Sequence, residues 1–171
     1  PTASTTTQLA LGDALAISSM KYRKFDKMDF KKLHPAGSLG AQLKTVEDIM
    51  VTGNNIPFVN ENLLMSKALK ILSKKKLGIL IVQNKRKKTV GIITDGQVRR
   101  FSEKNLKFQS LKVKKIMTKK PICIDKNELA AKALNLMNNK RITALIVHNK
   151  KKPMITVGVL HVHSILQSNI S

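Results

Sequence analysis

Two stretches of this 171-residue chain repeat each other at an offset of about 65 residues, and no other feature restricts the fold as strongly. Val46-Glu47-Asp48-Ile49-Met50 is answered by Val113-Lys114-Lys115-Ile116-Met117, and Ala68-Leu69 by Ala133-Leu134. Leu80-Ile81-Val82 is answered by Leu145-Ile146-Val147, and Val90-Gly91-Ile92-Ile93 by Val157-Gly158-Val159-Leu160. Both copies follow one grammar. Met65, Ala68, Leu69 and Leu72 fall on one stripe of an amphipathic helix, and Ala130, Ala133, Leu134 and Met137 repeat it. A short β-rich run follows, Ile79 to Val82 or Ala144 to Val147, then a polar turn and a second run, Val90 to Thr94 or Val157 to His161. Two such runs around a polar turn predict a hairpin. A last helix is expected from Asp95 in the first copy and from Val162 or His163 in the second. Each copy is thus β-α-β-β-α, too small to bury its own sheet, so the two must pack together.

Composition narrows the class. The chain is 42% hydrophobic, which suits a globular protein of one or two domains. No apolar run reaches the roughly 20 residues that cross a bilayer, and the start lacks a basic-then-apolar leader, so a cytoplasmic protein without membrane contact is expected. Cys123 is the single cysteine, which excludes an internal disulfide; it reads as a small buried side chain. The formal charge of +22 raises the question of nucleic acid. Only five of the 32 basic residues are arginine and aromatics make up 4%, so base readers and stacking platforms are scarce. Lysines gather in the turns Asn84-Lys85-Arg86-Lys87-Lys88 and His148-Asn149-Lys150-Lys151-Lys152, where solvation accounts for them, His148 included. Nucleic acid is therefore not the expected partner, and a charge-recruited polyanion is the lesser alternative.

The doubled pattern, with VEDIM and VKKIM as lead strings and Gly91-Ile92-Ile93-Thr94-Asp95-Gly96 closing the first copy, resembles a tandem pair of CBS domains. The fold class implied is α/β (α+β): two β-α-β-β-α units in a pseudo-twofold pair, with a first domain over 45–108 and a second over 109–171. Clefts in such pairs often hold adenine nucleotides. The resemblance places a Thr or Ser at the end of the last strand and an Asp three residues on, for phosphate and ribose. The first copy carries Thr94 and Gln97 there, and the second His161 and Ser164. Gln97 lacks the carboxylate that pairs strongly with a diol, which argues for a degenerate or retuned cleft and leaves Thr94 open as an ordinary strand residue. His161 and His163 would share one face if the strand continued through them; with no cysteine or carboxylate nearby, no metal is expected.

Residues 1–44 lie outside the repeat. They hold PTASTTTQLALGDALA, a hydroxyl cluster running into an apolar helix, and Leu33-His34-Pro35-Ala36-Gly37-Ser38-Leu39-Gly40. Ser4 is placed to cap that helix, and Leu9, Leu11, Leu15 and Ile17 give it more apolar surface than a lone helix covers. This pair of motifs ahead of two CBS copies resembles the arabinose-5-phosphate isomerase family, in which a sugar isomerase (SIS) domain comes first. The resemblance implies that residues 1–44 are the last helix and tail of a three-layer α/β SIS domain, with the remainder upstream. It implies a cofactor-free interconversion of D-ribulose 5-phosphate and D-arabinose 5-phosphate for lipopolysaccharide (Kdo) or capsule synthesis. It also implies a homo-oligomer, a tetramer by analogy, and a nucleotide or sugar-nucleotide effector at the CBS cleft.

His34 is the matching catalytic histidine: an imidazole titrating near neutrality suits a proton shuttle between adjacent carbons. Pro35 pushes His34 towards extended backbone, although a packing role in a connecting loop fits the residue too. Ser4, Thr5 and Thr6 are candidates for substrate or phosphate contact, with simple helix capping as the competing role. The candidate cleft residues are Thr94, Gln97, His161 and His163. This chain by itself is expected to be inactive. A free-standing CBS pair that binds adenine nucleotide is the alternative, and the two N-terminal motifs weigh against it.

Overall fold

The computed structural model describes residues 2–26, 29–30, 33, 42–104, 107–168 and 170, arranged in two compact units, Pro1–Leu43 and Lys44–Ser171. In the first unit, α1 spans Thr2–Tyr22. It starts before Ser4, so Ser4 lies inside the first turn rather than at the cap. The hydroxyls of Thr5 and Thr6 both donate to the carbonyl of Thr2, and that of Thr7 to Ala3, at 2.9, 3.0 and 2.9 Å. Hydroxyls turned back onto their own helix are the alternative to capping for residues of this kind. None of the residues of α1 is buried; Leu9 is 73% exposed and Leu15 61%. Its apolar residues surround the axis instead of forming one stripe, the pattern of a helix with neighbours on several sides. His34 lies outside the described residues.

The second unit contains two sheets. β1 (Phe58–Asn60), β2 (Ile79–Gln83), β3 (Thr89–Thr94) and β4 (Thr118–Lys119) form the first, in that order. β5 (Cys123–Asp125), β6 (Ala144–Asn149) and β7 (Lys152–His161) form the second. β1 runs parallel to β2 and β5 to β6, while β2–β3 and β6–β7 are antiparallel hairpins with Leu80 opposite Ile93 and Leu145 opposite Leu160. The remaining helices are α2 (Val46–Ile49), α3 (Met65–Lys75), α4 (Asp95–Lys104), α5 (Ala130–Lys140) and α6 (Val162–Gln167). The helical stripes hold: Met65, Ala68 and Leu72 are buried on α3, and Ala130, Ala133 and Met137 on α5.

Strand alternation divides the apolar runs between two destinations. Leu80, Val82 and Ile93 face the helices of the first sheet, and Leu145, Val147 and Leu160 those of the second. Their neighbours Ile79, Ile81, Ile146 and Val159 point the other way and meet in a core between the sheets. Both faces of each hairpin are thus covered, which is why the strands read as unbroken apolar runs. Cys123 is half-buried rather than buried: it packs at the edge of this inter-sheet core, where partial burial raises its thiol pKa.

The lead strings are exchanged between the repeats. Val46, from the string before the first copy, is fully buried in the second copy's helical core, and its amide donates to Glu128 O at 2.8 Å. Val51 and Val159 exchange both backbone hydrogen bonds, at 2.8 and 3.0 Å. Conversely, Val113 and Ile116 complete the core of the first copy, and the Val113 amide donates to Leu63 O at 2.9 Å. The equivalent strings differ locally. Asp48 accepts from the Thr45 amide and hydroxyl at 2.6 and 2.7 Å, closing a capping box that favours the α-helical α2. Lys115 occupies the matching place in the second string, which forms only a 3-10 turn, Val113–Lys115.

Two glycines receive the crossing strings. A Cβ on Gly91 would stand 2.7 Å from the Thr118 carbonyl oxygen and 2.9 Å from Met117 Sδ. One on Gly158 would collide with Met50 Sδ and lie 3.1 Å from Val51 O. The repeated Val-Gly pair therefore marks close approach rather than a turn.

The second hairpin departs from expectation. His148 and Asn149 were expected in its solvated turn, but β6 runs through both and only Lys150 and Lys151 connect it to β7. The buried Asp125 holds that turn: its carboxylate accepts from the amides of Asn127 and Lys150 at 2.9 and 2.6 Å. His148 is consequently half-buried, not solvated, and its Nδ1 is buried without a partner.

Gly91→Ala, which meets backbone, should cost about 1–3 kcal/mol by urea denaturation, and more than Gly158→Ala, whose first obstacle is a flexible thioether. Met50→Ala should accordingly cost less in the Gly158→Ala background than in the parent chain. Asp125 is held below the ordinary carboxylate range, first by the Asn127 amide and, against opposing burial, by Lys150. Its stabilisation is complete above the unfolded value of about 3.9 and is lost as pH falls through the folded value. The stability gap between the parent and Asp125→Asn should therefore close on acidification, as read from denaturation midpoints across pH.

Candidate functional site

Where the inter-sheet core opens at one end, a cleft of about 570 Å³ lies between the repeats. This is within the range of small-molecule sites. Its floor continues the core face through Ile79, Ile92, Ala144 and Ile146, with Pro121 and Ile142 on the walls. Polar groups arrive from the ends of elements: Thr94 from the end of β3, Asp95, Gln97 and Arg100 from α4, and Thr118 from β4. Lys120 comes from the segment joining the repeats, and Arg141 and Thr143 from the turn between α5 and β6. Arg141 is the C-cap of α5 and holds φ 52°, which turns the chain directly off the helix towards the cleft. Arg100, Lys120 and Arg141 are set against a single carboxylate, Asp95, so the cleft is cationic over an aliphatic floor.

Thr94 and Gln97 are brought together here, but they bond to the protein itself. Gln97 Oε1 accepts from the Thr94 amide at 3.1 Å, and the Gln97 amide donates to Thr94 Oγ1 at 3.4 Å. This is the capping box of a T-x-x-Q sequence at the start of α4. The Gln97 side-chain Nε2 donates onward to Thr118 Oγ1 at 2.6 Å and to Ile116 O at 3.4 Å. Gln97 is thereby a strut between α4 and the crossing string, and Thr94 is its cap.

His161 lines the cleft, whereas His163 is exposed and does not. The expectation that both sit on one strand face is corrected. The chain turns into α6 after His161, which becomes the N-cap with Nδ1 accepting the His163 amide at 3.3 Å. The rings are 4.8 Å apart. With Nδ1 accepting, the neutral ring carries its proton on Nε2. Among the described residues no group of three metal-ligating side chains occurs, and no helix is long and apolar enough to cross a membrane.

Sequence reasoning missed Asp95, Arg100, Lys120 and Arg141. Arg100 was within reach, because it falls one helical turn after Gln97 and so shares its face. Arg141 and Lys120 belong to turns, and no periodicity points a turn residue at a cleft.

A family model described as the CBS domain matches residues 46–104 and 113–170, and the chain belongs to that family as a tandem pair. Along its length it is also similar to arabinose 5-phosphate isomerase KdsD of Yersinia pestis, at 37% identity over 171 residues, and of Salmonella typhi, at 38%. Each alignment covers 99% of this chain and 51% of the relative, so the chain spans about half the length of these curated relatives. Among solved structures, CBSX2 from Arabidopsis thaliana in complex with AMP shares the fold, with a TM-score of 0.62 and 21% identity. That match covers 73% of this chain and 95% of the plant protein.

Burial, with the His163 charge adding to it, lowers the His161 pKa. The linked stability is complete above the unfolded value of about 6.5 and is lost as pH falls through the lower folded value. His161→Asn, which retains a capping acceptor, should lose less stability than the parent between about pH 7.5 and pH 5, measured by thermal unfolding.

Proposed function

We propose that this chain is the C-terminal, CBS-bearing part of a cytoplasmic D-arabinose-5-phosphate isomerase that interconverts D-ribulose 5-phosphate and D-arabinose 5-phosphate. One observation carries the reading. The CBS matches account for residues 46–104 and 113–170, yet the similarity to isomerases extends over 99% of the chain, including α1 and the HPAGSLG segment. A CBS pair acting alone supplies no reason for those front residues. The all-round apolar surface of α1 agrees, since such a helix suits the interior of a larger α/β body.

The ketose-to-aldose direction removes a proton from C1, passes through an enediolate and returns a proton to C2, while the C2 carbonyl becomes a hydroxyl and O1 a carbonyl. His34 is assigned as the acid/base that carries the proton, within a homo-oligomer, tetrameric by analogy with the family. Ser4, Thr5 and Thr6 remain assigned to the substrate side of the site, with the Thr5 and Thr6 hydroxyls bonded to their own helix in the present structure. The CBS cleft is assigned to a phosphorylated effector, a nucleotide or sugar nucleotide, on the strength of its cations and aliphatic floor.

The test is the isomerase assay on the intact protein that contains this chain. His34→Asn should lower kcat by about 10²–10⁴ with little change in KM, and this chain alone should show no turnover. An intact protein that binds adenine nucleotide yet leaves both pentose phosphates untouched would instead establish the free-standing regulatory module.

A further inference from the structure

Resting on the assignment of the cleft to a phosphorylated effector, we infer that the cleft selects its ligand by the number of phosphate charges spanning the two repeats, and not by the ribose. The cations come from separate parts of the fold: Arg100 from α4 of the first repeat, Lys120 from the connecting segment, and Arg141 from the C-cap of α5 in the second repeat. With one carboxylate among them, the lining gathers like charges from both repeats around one cleft. A single phosphate satisfies part of that set. A polyphosphate engages cations on both walls and removes the repulsion, and hydrophobic walls concentrate the field that attracts it.

A ribose diol is paired most strongly by a free carboxylate. Gln97 carries no charge and is largely committed: its oxygen already accepts the Thr94 amide, and its Nε2 serves Thr118 and Ile116. The carboxylate in the lining is Asp95, which lies against Gly78, with Oδ2 only 3.1 Å from where a side-chain carbon of that glycine would stand. Placed beside phosphates, this carboxylate repels, so its role separates the two modes. If charge is counted, neutralising Asp95 tightens binding. If a diol is read, neutralising it weakens binding. His161, held neutral with its proton on Nε2, adds a donor at the second repeat's edge of the cleft.

The experiment is calorimetry on the full chain in metal-free buffer with ATP, 2′-deoxyATP, ADP, AMP, adenosine and inorganic tripolyphosphate. ATP should bind at least about tenfold tighter than AMP, with ADP between them, adenosine unbound, and 2′-deoxyATP within about threefold of ATP. Arg100→Ala and Arg141→Asn, the latter chosen because Asn accepts the left-handed backbone, should each weaken ATP by about tenfold and AMP by less. Asp95→Asn should tighten ATP, while Lys70→Ala, on the outer face of α3, should change nothing.

AMP or adenosine binding as tightly as ATP, or Asp95→Asn weakening ATP together with a loss of preference over 2′-deoxyATP, would overturn charge counting and leave the effector assignment standing. Tripolyphosphate binding without any adenine nucleotide would overturn the adenine-nucleotide effector and, with it, the ATP-over-AMP order that charge counting requires. Failure of every probe to bind overturns charge counting and removes adenine nucleotides, though not sugar nucleotides, from the effector assignment.

Discussion

The exchange of lead strings is the interaction on which the second unit depends. Neither repeat closes its own helical core: Val46 fills the second, and Val113 and Ile116 fill the first. Each string is admitted by a glycine on the facing hairpin, Gly158 beneath Met50 and Gly91 beneath Met117. Between the hairpins, the core around Ile81, Ile146 and Val159 joins the sheets, and the hydroxyls of Thr89 and Thr156 meet at 2.7 Å. A small α/β unit with one sheet face open is marginal by itself, so the reciprocal exchange makes the pair cooperative.

The cleft is a consequence of that arrangement. The inter-sheet core ends where β3 and β7 hand over to α4 and α6, and the elements that stop there bring helix starts, a left-handed helix end and the joining segment to one place. The strut from Gln97 to Thr118 ties α4 to the string that crosses from the second repeat, so the wall of the cleft and the clasp between the repeats share a hydrogen bond. Any ligand that engages Arg100 and Arg141 together therefore acts on the same boundary that the crossing strings secure. The formal charge of +22 gives the whole surface a cationic background, but exposed lysines more than about 8 Å apart are largely screened at physiological salt. Cations converging on an aliphatic floor are less so.

Much of the architecture was legible because packing imposes periodicity. The stripes on α3 and α5, both hairpins and the start of α4 could be read from the sequence, since each buried face returns every 3.6 or 2 residues. The repeat also announced that two units must share a core. The site was less legible. T-x-x-Q was read as an incomplete ligand pair, although the same letters spell a capping box, and hydrogen-bond geometry alone separates the two. His161-x-His163 was read with strand alternation because nothing local marks the residue at which β7 ends and α6 begins. His148 looked solvated because lysines follow it, while the constraint that draws it inward is Asp125, distant in sequence.

The sequence by itself determined the main helical stripes and the apolar hairpin strands, and that there are two equivalent copies, because these follow from local propensity and from the period of burial. Only the tertiary structure decided that each lead string serves the opposite copy, that Gly91 and Gly158 are there to admit methionine, and that Arg100, Lys120 and Arg141 converge on one cleft. Those are distances between residues far apart along the chain, and periodicity carries no information about distances across a core.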